Sequence, residues 1–188
     1  FPFDDGYADW LSRAIAAFLF IGASVTDFLD GHIARKHNLI TDFGKFMDPL
    51  DDKFMVIGAL MVTLYKTMTA EEKSEIFSVL FFWAVLIVIF RELAVTSMRM
   101  VVTNTDGVVI AANWLGKVKT VTQMSAIIVL LLEPVIYHTI EKSGTDLPDF
   151  LSIYPPATLI LCALMTVFTL WSGVNYLAAY WGYLDPEK

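Results

Sequence analysis

Apolar residues in this chain gather into long runs, at 10–29, 54–65, 76–90, 108–132 and 156–181. A helix that crosses a bilayer needs ~20 predominantly apolar residues. The second and third runs fall short of that unless their polar neighbours, 45–53 and 91–99, are helical too and line a protein interior. Read in this way, the pattern predicts about five transmembrane helices in an all-α helical bundle. No internal repeat or low-complexity tract divides the chain, so residues 1–188 are expected to form a single transmembrane domain.

Composition strengthens this reading. The chain is 56% hydrophobic and its mean hydropathy is +0.60, too apolar for an ordinary soluble domain, so its solvent is lipid. The one cysteine, Cys162, lies in the last apolar run, which rules out a disulfide framework or a paired-cysteine metal site. The opening "FPFDDGYADW" reads as a segment entering a membrane from water rather than as a signal peptide.

Charge fixes an orientation. A net charge of −7 argues against a nucleic-acid partner, but placement says more than the total. If five helices alternate, Arg35, Lys36, Lys45, Lys53, Arg91, Arg99, Lys117, Lys119 and Lys188 fall on or toward one side, against Arg13, Lys66, Lys73 and Lys142 on the other. The positive-inside rule puts the first group at the cytoplasmic face of a multi-pass cell-membrane protein. The segments "KTMTAEEKSE" and "EKSGTDLPDFLSIYPP" on the opposite side read as ordinary connections.

The cytoplasmic side also carries the acidic segment "SVTDFLDGHIARKHNLITDFGKFMDPLDDKFMV". Asp27 and Asp30 are three apart at the end of the first span, and Asp48 and Asp52 four apart at the start of the second, so each pair shares a helix face. A short connection between the two helices can bring the pairs together. Unpaired, each carboxylate would cost about 2.5 to 3.5 kcal/mol near the bilayer centre, and the four would repel one another. A hard divalent cation resolves both problems. Mg²⁺ or Mn²⁺ takes oxygen ligands and keeps positions open for phosphate, and two such ions would form a clamp suited to phosphoryl chemistry. Asp48 before Pro49 also fits a helix N-cap. Gly31 and Gly44 allow a ligand close to the backbone, and Arg35 can fork onto phosphate oxygens.

Arg91, Lys117 and Lys119 form a second group, near the cytoplasmic ends of two apolar runs where an unpaired cation is costly. An anion is the expected partner, with snorkelling to the interface as the alternative for one of the three. Glu92 can pair with a neighbouring cation and remain structural.

These residues spell Asp27-x2-Asp30-Gly31-x2-Ala34-Arg35-x8-Gly44-x3-Asp48-x3-Asp52. The pattern resembles the full signature of the CDP-alcohol phosphotransferase family, with every spacing kept. The resemblance implies that Asp27, Asp30, Asp48 and Asp52 bind the two metal ions, that Asp52 is also the catalytic base, and that Asp30, Gly31, Arg35 and Gly44 surround the CDP moiety. Asp51 falls outside the pattern. A second stretch, "FRELAVTSMRM" with "NWLGKVKTVTQM", is similar to the branch whose acceptor is glycerol 3-phosphate. The implied reaction moves the phosphatidyl group of CDP-diacylglycerol from the membrane lipid pool onto that acceptor, with Arg91, Lys117 and Lys119 gripping its phosphate. Of the two lysines, Lys117 is expected to matter more, because it follows Gly116. Family members have six transmembrane helices and are homodimers, so the resemblance implies a dimer and the loss of the first helix from this chain.

Two other readings remain at this stage. The same chemistry can serve inositol phosphate, serine or phosphatidylglycerol as acceptor, and charge alone does not separate the two phosphate-bearing ones. A cation-coupled transporter would call for related features in both halves of the chain, whereas the Asp pairs occupy only one.

Overall fold

A computed structural model describes residues 5–37, 42–69, 74–106, 114–144, 148, 151 and 155–180; side chains within the helices are described except at 5–9, 28, 31, 32, 34–37, 42–52 and 99–106. The long helices are α1 (Asp5–His37), α2 (Asp42–Thr69), α3 (Glu75–Asp106), α4 (Trp114–Lys142) and α5 (Pro156–Tyr180). Among the described residues there is no strand. The protein is an all-helical, multi-pass membrane protein. Among the described residues four helices are long and apolar enough to cross a bilayer, α1 through Trp10–Asp27, α3 through Glu75–Met98, and α4 and α5 over their whole lengths. The helix α2 is not among these four, because its short apolar run follows a polar first half, "DFGKFMDPLDDK".

The helix ends follow local chemistry. Ser74 caps α3: its Oγ accepts the N–H of Phe77 at 3.2 Å, satisfying one of the donors that a helix start leaves open. The helix α4 stops at a turn in which Gly144 takes φ +87°, a conformation that suits a residue without a Cβ. At the start of α5, the carbonyl of Pro155 accepts the N–H of Leu159 and Pro156 occupies the first helical position, where its missing N–H costs nothing.

The fourth helix departs from the apolar run that announced it. It begins at Trp114, residues 107–113 lying outside the description, and it continues ten residues past Leu132, through Glu133 and Pro134. Glu133 is buried, and its carboxylate accepts the backbone N–H groups of Thr158 at 2.7 Å and Ala157 at 3.2 Å and the hydroxyl of Tyr137 at 2.8 Å. The first N–H groups of α5, which have no partner within their own helix, thus hold inside the bundle a charge that would otherwise have ended the span.

Phe81, Leu60, Ile127 and Met165, from α3, α2, α4 and α5, are the large side chains at the centre of the core. The most extensive packing is between α4 and α5, followed by α1 on α4 and α3 on α5. Direct contact between α1 and α2 is slight among the described residues. Outward-facing apolar residues such as Phe18, 78% exposed, and Phe90, 76% exposed, make a surface that water would not tolerate and lipid would. Several hydroxyls inside the helices are satisfied along their own backbone, as where Ser24 donates to Phe20 O at 2.7 Å and Thr166 to Cys162 O at 2.8 Å.

Contacts between helices set their directions. Lys66 near the end of α2 donates to Ser12 near the start of α1 at 2.7 Å, and Trp10 on α1 meets His138 on α4 edge-on at 5.7 Å. With Glu133 at the start of α5, these contacts gather the beginnings of α1 and α5 and the ends of α2 and α4 at one end of the bundle. The last turns of α1, the first turns of α2 and α4, and the later halves of α3 and α5 therefore lie toward the other end.

Candidate active site

All the sequence-predicted site residues belong to that second end. Asp27 and Asp30 project from the last turns of α1, three residues apart, and both are exposed. Among the described residues neither meets an ion-pair or hydrogen-bond partner. Gly31 and Arg35 follow on α1, and Gly44, Asp48 and Asp52 occupy the first part of α2. The side-chain surroundings of these five lie outside the described residues. Among the described residues no three metal-ligating side chains come together; two of the four expected carboxylates are described. Oxygen-only donors on one helix face fit a hard divalent ion better than a thiophilic one.

The cations are placed more completely. Lys119 on α4 is 5% exposed and Glu92 on α3 is 7% exposed, and the lysine Nζ donates to Glu92 Oε1. Arg91 Nη1 donates to the same oxygen at 3.3 Å, while Arg91 Nη2 donates to Ser172 Oγ on α5 at 2.5 Å. The stem of Arg91 lies against Gly173, where an added Cβ would sit 3.2 Å from Arg91 Cγ. Two cations thus share one carboxylate at the junction of α3, α4 and α5.

More polar groups surround this junction. Gln123, one turn beyond Lys119, and Thr169, one turn before Ser172, are buried, with no hydrogen-bond partner at Gln123 Nε2 or Thr169 Oγ1, and Arg91 Nε is likewise buried without one. Buried groups of this kind are costly unless something satisfies them. An apolar groove of about 330 Å³ along the seam of α3 and α5, lined by Trp83, Phe90, Leu170 and Leu177, has Arg91 and Thr169 in its wall.

Lys117 stands apart. It is exposed, whereas Lys119 points inward, as two residues separated by about 200° round a helix must. Beside Gly116 there is open space, with no heavy atom within 4 Å of an added Cβ. The expected anionic partner of Arg91 and Lys119 is in the first instance Glu92, a residue of the protein itself. Sequence reasoning missed Ser172, Gly173 and Thr169, which match no motif, and did not single out Gln123 within "NWLGKVKTVTQM". The one available signal was the placing of Thr169, Ser172 and Gly173 at spacings of three and four, one helix face, inside an otherwise apolar run.

Residues 8–182 match the CDP-alcohol phosphatidyltransferase family. This chain belongs to that family. It is 37% identical to the CDP-diacylglycerol–glycerol-3-phosphate 3-phosphatidyltransferase of Bacillus subtilis (strain 168), over 100% of this chain and 87% of that protein. A protein of the same name from Rickettsia felis is 34% identical over 90% of this chain and 80% of its own length. Another from Arabidopsis thaliana is 33% identical, covering 93% of this chain and 71% of that protein. The acidic end of α1 and the cationic junction of α3, α4 and α5 lie toward the same end of the bundle. Carboxylates suit a metal and its diphosphate, and cations suit a second anion.

Proposed function

We propose that the protein transfers the phosphatidyl group of CDP-diacylglycerol to glycerol 3-phosphate, yielding phosphatidylglycerophosphate and CMP. The observation that carries the choice of acceptor is the junction of Arg91 and Lys119 on Glu92, with the Arg91 Nε–H buried and still unsatisfied, at the same end of the bundle as Asp27 and Asp30. A phosphate, with three oxygens to accept from a guanidinium fork and an ammonium, suits these donors better than a neutral hydroxyl acceptor. The names of the relatives support the same acceptor.

In this reading Asp27, Asp30, Asp48 and Asp52 hold two Mg²⁺ or Mn²⁺ ions. Such ions, when bound, neutralise charge on a diphosphate and on a departing phosphate. Asp30, Gly31, Arg35 and Gly44 line the site for the CDP moiety. Arg91 and Lys119 bind the phosphate of glycerol 3-phosphate and thereby orient its hydroxyl, while Lys117, exposed on the other side of α4, lies outside this grip. Asp52 takes the proton of that hydroxyl as its oxygen bonds to the phosphatidyl phosphorus; the bond from that phosphorus to the CMP oxygen breaks, and CMP leaves with the electron pair. The substrates meet at the cytoplasmic face of the cell membrane, and the working assembly is a homodimer; these two points rest on charge placement and on family resemblance respectively.

The test supplies membranes containing the full-length protein with labelled CDP-diacylglycerol and glycerol 3-phosphate, inositol phosphate, serine or phosphatidylglycerol. Labelled phosphatidylglycerophosphate and one CMP per product are expected with glycerol 3-phosphate alone. Turnover with serine and none with glycerol 3-phosphate would sink the proposal.

A further inference from the structure

Glu92 is a puzzle in a site meant to attract a phosphate. A buried carboxylate there weakens the attraction of any anion, yet one of its oxygens accepts from both cations. A carboxylate needed only to offset charge could pair with one of them. Its contact with two, from neighbouring helices, makes it the point to which both are tied.

Arg91 is the more constrained of the two. Glu92 holds one terminal nitrogen at 3.3 Å, Ser172 holds the other at 2.5 Å, and the close approach of Gly173 leaves the stem little room to move. A guanidinium has five N–H donors in a fixed plane, and these two bonds leave three, including the buried Nε–H that has no partner. A planar fork clamped on two sides with donors left over is prepared for a tetrahedral oxyanion. Lys119, tied to the same Glu92 oxygen, is brought beside that fork from α4.

We propose that Glu92 is a positioning residue for the acceptor: it docks Arg91 and Lys119 side by side, with Ser172 and Gly173 fixing the far edge of Arg91, so that both cations grip one phosphate. The inference rests on the acceptor-site reading above. Without the carboxylate, two like charges in a water-poor interior repel and separate, and the loss of alignment outweighs the attraction gained by removing a negative charge.

Steady-state kinetics on the full-length protein, with each substrate varied in turn, tests this. For Glu92→Gln the KM for glycerol 3-phosphate is expected to rise roughly ten- to a hundred-fold, the loss of one charge-assisted contact, while the KM for CDP-diacylglycerol stays within about two-fold of wild type. Glu92→Asp keeps the charge but withdraws the oxygen by one methylene, and its KM for the acceptor should lie between the two. If Glu92→Gln fails to accumulate as folded protein, Glu92→Asp decides: a several-fold rise confined to the acceptor supports the proposal, and an unchanged value overturns it. An unchanged or lowered acceptor KM in Glu92→Gln also overturns it, as does an equal rise for both substrates, which is the mark of a merely structural role. Arg91→Ala and Lys119→Ala serve as the control on the underlying reading. If neither alters the acceptor KM, the acceptor site itself is misplaced; if both do and Glu92→Gln does not, only the positioning role fails.

Discussion

Replacing Glu133 by Ala tests how α5 is held, independently of the chemistry. Pro155, in the position before the helix, has no side-chain oxygen with which to cap it. Glu133 supplies the cap from α4 instead, accepting the N–H groups of the second and third helical residues, Ala157 and Thr158, at 3.2 and 2.7 Å. Hydrogen bonds between membrane helices average only ~0.6 kcal/mol and reach ~1.7. The two here are charge-assisted and lie at a helix N-terminus, where a negative charge gains up to a further ~1 kcal/mol. Thr158 is 2% exposed, so its N–H has no water to turn to. Against these gains stands the cost of keeping a carboxylate in the bundle, which its removal relieves. The balance for Glu133→Ala is a loss of about 2 to 3 kcal/mol; Glu133→Gln, which keeps one acceptor oxygen, should lose about half as much. Reversible unfolding in mixed micelles with rising denaturing detergent measures both. Glu133 is fourteen residues from Lys119 along α4, about 21 Å, so the kinetic constants of the folded fraction should not change. A Glu133→Ala protein within about 0.5 kcal/mol of wild type, or a Gln variant weaker than the Ala variant, would refute the capping account.

The remaining predictions concern the acidic end. Excess chelator should abolish turnover, with Mg²⁺ or Mn²⁺ restoring it, because oxygen-only ligands favour hard cations; full activity in chelator would dismiss the metal site. Asp52→Asn should lower kcat by at least a hundred-fold, the usual worth of a general base, with little change in either KM, whereas Asp51→Asn should be much milder. Equal damage from the two would mean that the register of the motif is misassigned.

Much of this protein is legible in its sequence because lipid leaves few options. A backbone in hydrocarbon must satisfy its own N–H and C=O groups, so each long apolar run had to be a helix, and polar neighbours such as 91–99 prolong α3 rather than end it. The paired aspartates and the clustered cations are local facts of spacing and side-chain chemistry, and they could be singled out without coordinates. Packing decided the rest. Lys117 and Lys119 are alike in sequence, and only the approach of Glu92 on α3 makes one of them a buried partner and leaves the other exposed. The apolar run that ends at Leu132 gives no hint that α4 continues, since the partners of Glu133 belong to α5, more than twenty residues away. Ser172 and Gly173 carry no motif, and they acquire a role only because α5 lies against Arg91. Periodicity along one helix says which residues share a face, but which face meets another helix is set by the packing of the whole bundle, and a buried charge is tolerable only where that packing delivers its partner.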